Sequence, residues 1–418
     1  MKIAVVGGGV AGITAAHLLQ RDHEVTLFEQ NDYIGGHTHT ILIPAGPDAG
    51  TPVDTGFIVL NDRTYPLFNR LLAQLEVGIQ PSDMSFSYFS EDSGFQYASR
   101  DVNSLFAQRR NFFDPGFLRL LMEIVRFNRL ARRGLRQNRL EALTLGAFLE
   151  RFGFSPRFRD QYIIPMAAAI WSSPDEEVAD FPMATFARFF NNHGLLTVRD
   201  QPQWYVVRGG SHAYVKAFKA RFAGILRPDS PVAGIRRSEK AVTVKLADGN
   251  QSRYDHVVIA AHADEAYRML EDPTADEQRL LGPWRYSTNR VILHTDRRLM
   301  PSNPRAWASW NYTREAGAPP RAPVILTYHM NRLQRLPTRN DYFVTLNPGR
   351  TIDEHLVIEN LTYTHPMFTF ESLATQPQLP RLINRNRTSF CGSYFGYGFH
   401  EDAVRAAAQV AEAFGIAL

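Results

Sequence analysis

Glycines at positions 7, 9 and 12 are spaced to take hold of a diphosphate. They follow the apolar run Lys2-Ile3-Ala4-Val5-Val6 and open a stretch carrying Ile13, Ala16, Leu18 and Leu19 on one helical face. A second apolar run, Glu24 to Phe28, ends at Glu29, 17 residues past Gly12. A strand, a glycine-rich turn, a helix, a strand and an acid in this order make a dinucleotide site. Gly7 lets the chain turn out of the strand, Gly9 lets the pyrophosphate approach the backbone, and Gly12 lets the helix pack on the sheet. The helix N-terminus at Val10 and Ala11 then presents its amides and its positive dipole end to the phosphates. Glu29 is placed to accept hydrogen bonds from the adenosine ribose. A carboxylate there disfavours a 2′-phosphate, so FAD or NAD is expected rather than NADP.

Several functions are excluded by composition. The 418 residues suit two or three domains. A net charge of +4 and the absence of a Lys/Arg run interleaved with aromatics give no reason to expect nucleic acid. The single cysteine, Cys391, excludes an internal disulfide and any cysteine-based metal site, and fits a reducing compartment. No metal is expected. The chain enters its first strand at once, so no secretory leader is expected. No run approaches 18 apolar residues, which leaves peripheral contact as the available membrane mode. A cytoplasmic protein, with an option of lying on the inner membrane face, is the expectation.

The elements that must position the glycines come from both ends of the chain. Strand–helix alternation covers 1–80 and returns at 204–270 and 385–418, which together are expected to form the nucleotide domain. Residues 81–203 and 271–384 form the second domain, with a helical part at about 100–200. Within it, 117–133 reads as an amphipathic helix with Phe117, Leu120, Leu121 and Ile124 opposite Arg119, Arg126, Arg129 and Arg133. Further helices are expected at 144–151, 156–170, 211–222 and 401–414. Strands are expected at 204–207, 230–236, 241–246, 256–261, 285–296, 323–330, 341–346 and 389–392.

Gly35-Gly36 follows Glu29 by six residues, and Cys391-Gly392-Ser393 leads to Gly398-Phe399-His400-Glu401-Asp402-Ala403-Val404. With these motifs the chain resembles the flavin-containing amine oxidase superfamily, which includes phytoene-type desaturases and protoporphyrinogen oxidases. The fold this implies is α/β: a Rossmann-like FAD-binding domain of glutathione-reductase type, interleaved with a substrate domain of mixed sheet and helical insert. The cofactor implied is FAD. The resemblance assigns Gly35, Gly36, His37 and Thr38 to the flavin-side phosphate and ribityl, and Asp54, Thr55, Gly56 and Phe57 to a strand beside the flavin. It assigns Val232 to adenine, and Gly392, Ser393, Glu401, Asp402 and Ala403 to the flavin end. Two positions depart from the pattern: His37 replaces the usual Arg, and Tyr394 stands where the family carries an acid.

Longer strings are similar to a bacterial subfamily of flavoproteins found beside cyclopropane-fatty-acid-synthase-like methyltransferases. They are Gly36-His37-Thr38-His39-Thr40, Asp54 to Val59, Gln80 to Ser87, Ile170-Trp171-Ser172, Phe189 to Leu195 and Met330 to Gln334. One branch resembles desaturases of methyl-branched fatty acyl chains. An apolar or acyl-chain substrate is therefore implied, with a methyltransferase as pathway partner. An FAD-dependent oxidase or desaturase is the first reading. A double-bond isomerase and a non-catalytic lipid-binding flavoprotein are the alternatives.

Amine oxidases hold a water near the flavin with a lysine, and no lysine follows Lys245 here. Arg290 aligns near that lysine and is one catalytic candidate; a surface charge at a strand end is the alternative. His193, in Asn191-Asn192-His193, is a candidate base for alkene formation, with helix capping as the alternative. Tyr397 and Phe399 frame either the substrate or simply the flavin. Tyr328 and Asn331 are expected to line the pocket from the second sheet. The Phe-, Met- and Leu-rich insert supplies an ordinary core, with a fraction left over for a long apolar pocket.

Overall fold

Five short parallel strands carry the nucleotide end of the molecule. In the computed structural model, which describes residues 1–172, 174–197, 201–319 and 322–418, their order is Ile225–Arg227, Glu24–Phe28, Lys2–Val6, His256–Ile259 and Thr388–Phe390. The three central strands, Glu24–Phe28, Lys2–Val6 and His256–Ile259, are buried and mostly apolar in their interiors, as a parallel sheet covered on both faces requires. Three stretches of chain far apart in sequence thus meet in one sheet. The helix Val10–Leu19 is buried along its whole length, and packs beside the closing helix His400–Glu412. Both helices start at the same edge of the sheet, the carboxyl ends of the strands, where doubly wound sheets bind their ligands.

A seven-stranded sheet forms the second layer. Its order is Val357–Met367, Arg285–His294, Phe343–Leu346, Ile325–His329, Trp310–Arg314, Phe86–Ser90 and Gln96–Ala98. All pairs are antiparallel except Trp310–Arg314 with Phe86–Ser90. Against it packs the helical insert. Its longest helix, Pro115–Arg136, starts at an Asp114 side chain that accepts from Gly116 N (3.0 Å) and Phe117 N (3.2 Å). Such a cap is worth about 1 kcal/mol. The helix buries Phe117, Leu120, Glu123, Phe127 and Ala131 at three- and four-residue spacing. Arg133 and Arg136 in its last turn complement the dipole.

Some boundaries differ from the expectations. Residues 156–170 form one helical run that widens at Arg159–Ile163 before continuing as Ile164–Trp171. Trp204–Val207 joins a separate small sheet with Leu60–Asn61 and Ile79–Pro81. The turn at 247–250 joins the second strand of the Val232–Arg237/Val242–Leu246 pair to a third, Gln251–Tyr254, which the sequence reading missed because its side chains are mostly exposed and polar.

Candidate active site

A single cavity of ≈ 1350 Å³ runs between the two layers. It exceeds the roughly 300–1,000 Å³ of an ordinary small-molecule site, so it has room for a dinucleotide and a substrate together. At one end the wall is the glycine turn. Gly7 has φ +105, and a Cβ there would meet the Ala260 carbonyl oxygen at 2.8 Å. A Cβ on Gly12 would lie 1.8 Å from the Gly7 carbonyl oxygen, which is how closely the helix approaches the strand. A Cβ on Gly9, in contrast, would meet nothing within 4 Å: it would project into the cavity. That open approach at the N-terminus of a helix is what a diphosphate needs.

Glu29 sits on the wall at the end of its strand. It accepts from Gly8 N (2.6 Å), Asn31 N (2.9 Å) and Asn31 Nδ2 (2.9 Å). A carboxylate has about four acceptor sites, so ribose hydroxyls can share it. Val232 lines the same end, with Arg268 and Met269 of the helix Ala263–Met269. Further along, the wall is made by Val10, Ala11, Gly35, Gly36, His37, Gly56, Phe57, Gly392, Ser393 and Ala403.

Six residues assigned to the cofactor stand behind that wall. Gly12 is a contact between helix and strand. Thr38 is fully buried and shares its hydroxyl with Tyr214 (2.6 Å) and His400 Nε2 (3.1 Å). Asp54 accepts from Thr40 Oγ1 (2.6 Å), Ser211 N (2.8 Å), Ser211 Oγ (2.9 Å) and Gln334 Nε2 (3.1 Å). Burial still pushes its carboxyl up to about 6. Thr55 ties the His39 carbonyl to the Tyr363 hydroxyl. Glu401 accepts from Leu67 N and Phe68 N at the start of the helix Pro66–Gln74, and Asp402 accepts from Tyr397 N and Phe399 N. Both carboxylates find amide donors of the protein itself, so they shape the site without facing it.

Histidines form the part the sequence reading did not assemble. His37 stacks on Tyr363 (4.8 Å between ring centres) and lies 5.2 Å from His365 and 6.3 Å from His262. All four line the cavity. Burial, and then repulsion from His365, His262 and His400, hold His37 well below the ordinary histidine range. The position that carries Arg in the resembling family is therefore neutral here at pH 7. His37 Nε2 is buried with no hydrogen-bond partner in the protein, and the Tyr394 hydroxyl, also on the cavity wall, is likewise unpartnered. Buried polar atoms without partners are costly, and a polar ligand in the cavity would satisfy them. With the open approach at Gly9, these orphaned atoms fit a bound FAD. His400, at the head of the closing helix, stacks on Phe57 at 3.6 Å. Only spatial proximity links these rings, since 363 and 365 lie more than 300 residues from 37.

Past the glycines the cavity turns apolar. Met84, Leu105, Leu121, Ile124, Met166 and Ile170 lie on its wall, with Tyr328, Tyr397 and Phe399 at the expected positions. His193 is there too, stacked on Phe189 (3.9 Å) and 5.9 Å from Phe399. Its Nδ1 is 3.0 Å from the Phe189 carbonyl. A carbonyl only accepts, so Nδ1 carries the hydrogen and Nε2 keeps its lone pair. Burial pushes the ring down to about 4, so it is a neutral proton acceptor at pH 7.

Two candidates are corrected. Arg290 is exposed on the Arg285–His294 strand, donates to Asn360 Oδ1 (3.2 Å), and does not reach the cavity. Alternation along the strand puts it on the face opposite Asn289, which is buried. Asn331 braces a loop, donating to Thr338 Oγ1 and the Asn340 carbonyl and accepting from Tyr342 N.

The family model for flavin containing amine oxidoreductases matches residues 10–332. The chain belongs to this family. FAD is therefore its cofactor, and the glycine turn, Glu29 and the wall at Gly392, Ser393 and Ala403 are the residues that would hold it. The flavoprotein is 25% identical over 296 residues to AofH of Mycobacterium tuberculosis, whose assignment is a flavin-containing monoamine oxidase; the match covers 68% of this chain and 62% of AofH. The match thus spans less than two thirds of that relative. Its structure is similar to that of a CLA-producing fatty acid isomerase from P. acnes, with a TM-score of 0.70 at 15% identity, covering 99% of this chain and 98% of that one. It is also similar to cyclohexylamine oxidase from Brevibacterium oxydans, with a TM-score of 0.67 at 16% identity and 99% of each chain covered. These structural likenesses establish the fold. Among the described residues no group of His, Cys, Asp or Glu is arranged to hold a metal ion, and no helix is long and apolar enough to cross a membrane.

Proposed function

We propose that the flavoprotein is an FAD-dependent oxidoreductase that desaturates an apolar substrate, a fatty acyl chain. The observation that carries this reading is the composition of the apolar arm. Apart from Glu265 and Arg268 of the helix Ala263–Met269 at the nucleotide end, Asp101 is the one charged side chain among the described lining residues from Met84 to Phe399, and Asp101 is engaged as the cap of the helix Val102–Leu105, accepting from Ser104 N at 2.7 Å. An arm with no other charge favours a chain of methylenes over an ammonium ion. When bound, FAD supplies a hydride acceptor at N5. For an alkene to form, the neighbouring carbon must also lose a proton, and His193 Nε2 is a neutral acceptor on the wall of the same arm. Phe189 stacks on the imidazole, and Phe399 stacks on Phe189 in turn. A methyltransferase that branches acyl chains is the class of partner that would supply such a substrate.

A second reading is a double-bond isomerase, in which the hydride returns to the chain. The likeness to a fatty acid isomerase favours it. Both readings use the same arm and the same proton acceptor.

Two variants separate His193 from Arg290. His193→Gln is expected to slow anaerobic flavin reduction by an acyl substrate by about 10²- to 10⁴-fold, the usual range for a lost acid–base group, with flavin content unchanged. Arg290→Ala is expected to reduce at the wild-type rate. Rapid-mixing absorbance checks both, and equal rates for wild type and His193→Gln would remove the base.

A further inference from the structure

We propose that the face around the far mouth of the cavity docks on an anionic lipid bilayer and draws its acyl chain from there. The inference rests on the acyl-chain reading of the cavity. Of the ten large apolar side chains left exposed among the described residues, six lie between Val102 and Val125. Phe113 is 88% exposed, Met122 66% and Val125 60%. Leu118, Met122 and Val125 follow at four- and three-residue spacing and so form one stripe on the Pro115–Arg136 helix. Phe112 stacks on Phe106 at 3.8 Å, and Phe106 in turn packs against Phe117 of that helix, which ties the preceding turn to the stripe.

Two further observations say what covers this face. The first is continuity with the cavity. Val125, in the stripe, also lines the cavity, as do Leu121 and Ile124 beside it and Ser99 and Asp101 on the facing segment. Ser99, Asp101 and Val125 are exposed, so the apolar arm reaches the surface inside the patch. The second is charge. Eight arginines and three acids fall within 100–133, so this stretch alone is more positive than the whole chain, whose net charge is +4. All three acids are already engaged: Asp101 with Arg100 and Ser104 N, Asp114 with Arg157, and Glu123 with Arg119 and Ser155. Arg129 lies one turn beyond Val125 on the same stripe. An apolar tip flanked by arginines matches acyl chains beneath anionic headgroups.

The test is sedimentation of the flavin-loaded protein with vesicles of phosphatidylcholine, with and without phosphatidylglycerol. The wild type is expected to partition to both and more strongly to the anionic ones. Phe113→Ser/Met122→Ser is expected to weaken partitioning by about tenfold or more, with the same flavin content and thermal midpoint. Arg110→Gln/Arg129→Gln is expected to lose the preference for phosphatidylglycerol, and it decides the matter alone if the first variant fails to fold. A wild type that stays in solution, or variants that bind as it does, would overturn the proposal. So would a Phe113→Ser/Met122→Ser change that turns a dimer into a monomer while leaving vesicle binding intact, which would make the face a contact between copies. Flavin reduction by a detergent-dispersed acyl chain without vesicle binding removes the docking and keeps the substrate. Vesicle binding without reduction does the reverse.

Discussion

Alanine at Gly12 is expected to yield a protein that retains no FAD and barely folds, whereas alanine at Gly9 is expected to fold normally and bind FAD poorly. The two glycines are three residues apart and face different things. A methyl on Gly12 would sit 1.8 Å from the Gly7 carbonyl oxygen. That contact is backbone against backbone, so the Val10–Leu19 helix must move off the sheet. Overpacking of this kind costs about 1–3 kcal/mol or more, and the displaced turn carries the phosphate site with it. A methyl on Gly9 would meet no protein atom, and Gly9 has φ −72 and ψ −178, which alanine adopts freely. Its Cβ would instead occupy the approach of the diphosphate. Loss of about 1.4 kcal/mol or more, a tenfold change in the dissociation constant, is expected with the thermal midpoint of the flavin-free protein unchanged. Flavin absorbance per chain and calorimetric titration of the flavin-free protein with FAD read the outcome. Wild-type affinity in Gly9→Ala would place the diphosphate elsewhere.

Stability is expected to fall steeply as pH drops from about 6.5 towards 4. His193, His256 and His294 are buried, and burial pushes each down to about 4 from an ordinary 6.5. The unfolded chain therefore binds these protons more tightly than the folded one. Their contribution is complete above pH 6.5 and is lost as pH falls through the folded values. Each shift corresponds to about 3 kcal/mol, so the three together approach the roughly 5–15 kcal/mol of a typical fold. His294 shows the cause at atomic detail. Its Nδ1 accepts from Asp296 N (3.0 Å), so its Nε2 donates to Thr345 Oγ1 (2.7 Å), and a second proton would displace the first bond. Asp54 works in the opposite direction. Its raised value favours folding below pH 3.8 and that advantage is lost as pH rises through about 6; burial raises Asp175, Glu401 and Asp402 as well, and it also pushes His365 and His400 down to about 4 and about 3, which adds to the histidine side. Denaturant titrations from pH 7.5 to 4.5 are expected to show this fall, with a shallower slope in His294→Gln. A flat profile would contradict neutral buried imidazoles.

The two ends of the flavin cradle were legible in the sequence because backbone geometry constrains them. The order of strand, glycine turn, helix and acid leaves few alternatives, and Gly7, Gly9 and Glu29 all lie where the spacing put them. Residues behind the wall were legible as a group but not by role. Glu401 and Asp402 sit in the right motif, yet Glu401 turns to amides more than 300 residues away, which no local pattern encodes, and Asp402 turns back to the Tyr397 and Phe399 amides of its own helix cap. The strands Phe86–Ser90 and Val357–Met367 escaped notice for opposite reasons. The first is buried on both faces, so it does not alternate, and the second is half-buried with polar and apolar side chains mixed along it. Arg290 was misplaced because an alignment fixes position along a strand and not which of its two faces a residue takes. The His37–His262–Tyr363–His365 cluster joins three distant segments and had no signal beyond the departure from Arg at position 37.

On the proposed reading, the apolar arm presents an acyl chain to the flavin. Anaerobic mixing of the FAD-loaded protein with a methyl-branched fatty acyl substrate, followed by flavin absorbance, tests it most directly, with aliphatic and aromatic amines as the comparison. Lasting bleaching by the acyl chain, formation of a new double bond, and no bleaching by amines are expected. Bleaching by an amine together with an unchanged spectrum and no new product from acyl chains would contradict that reading.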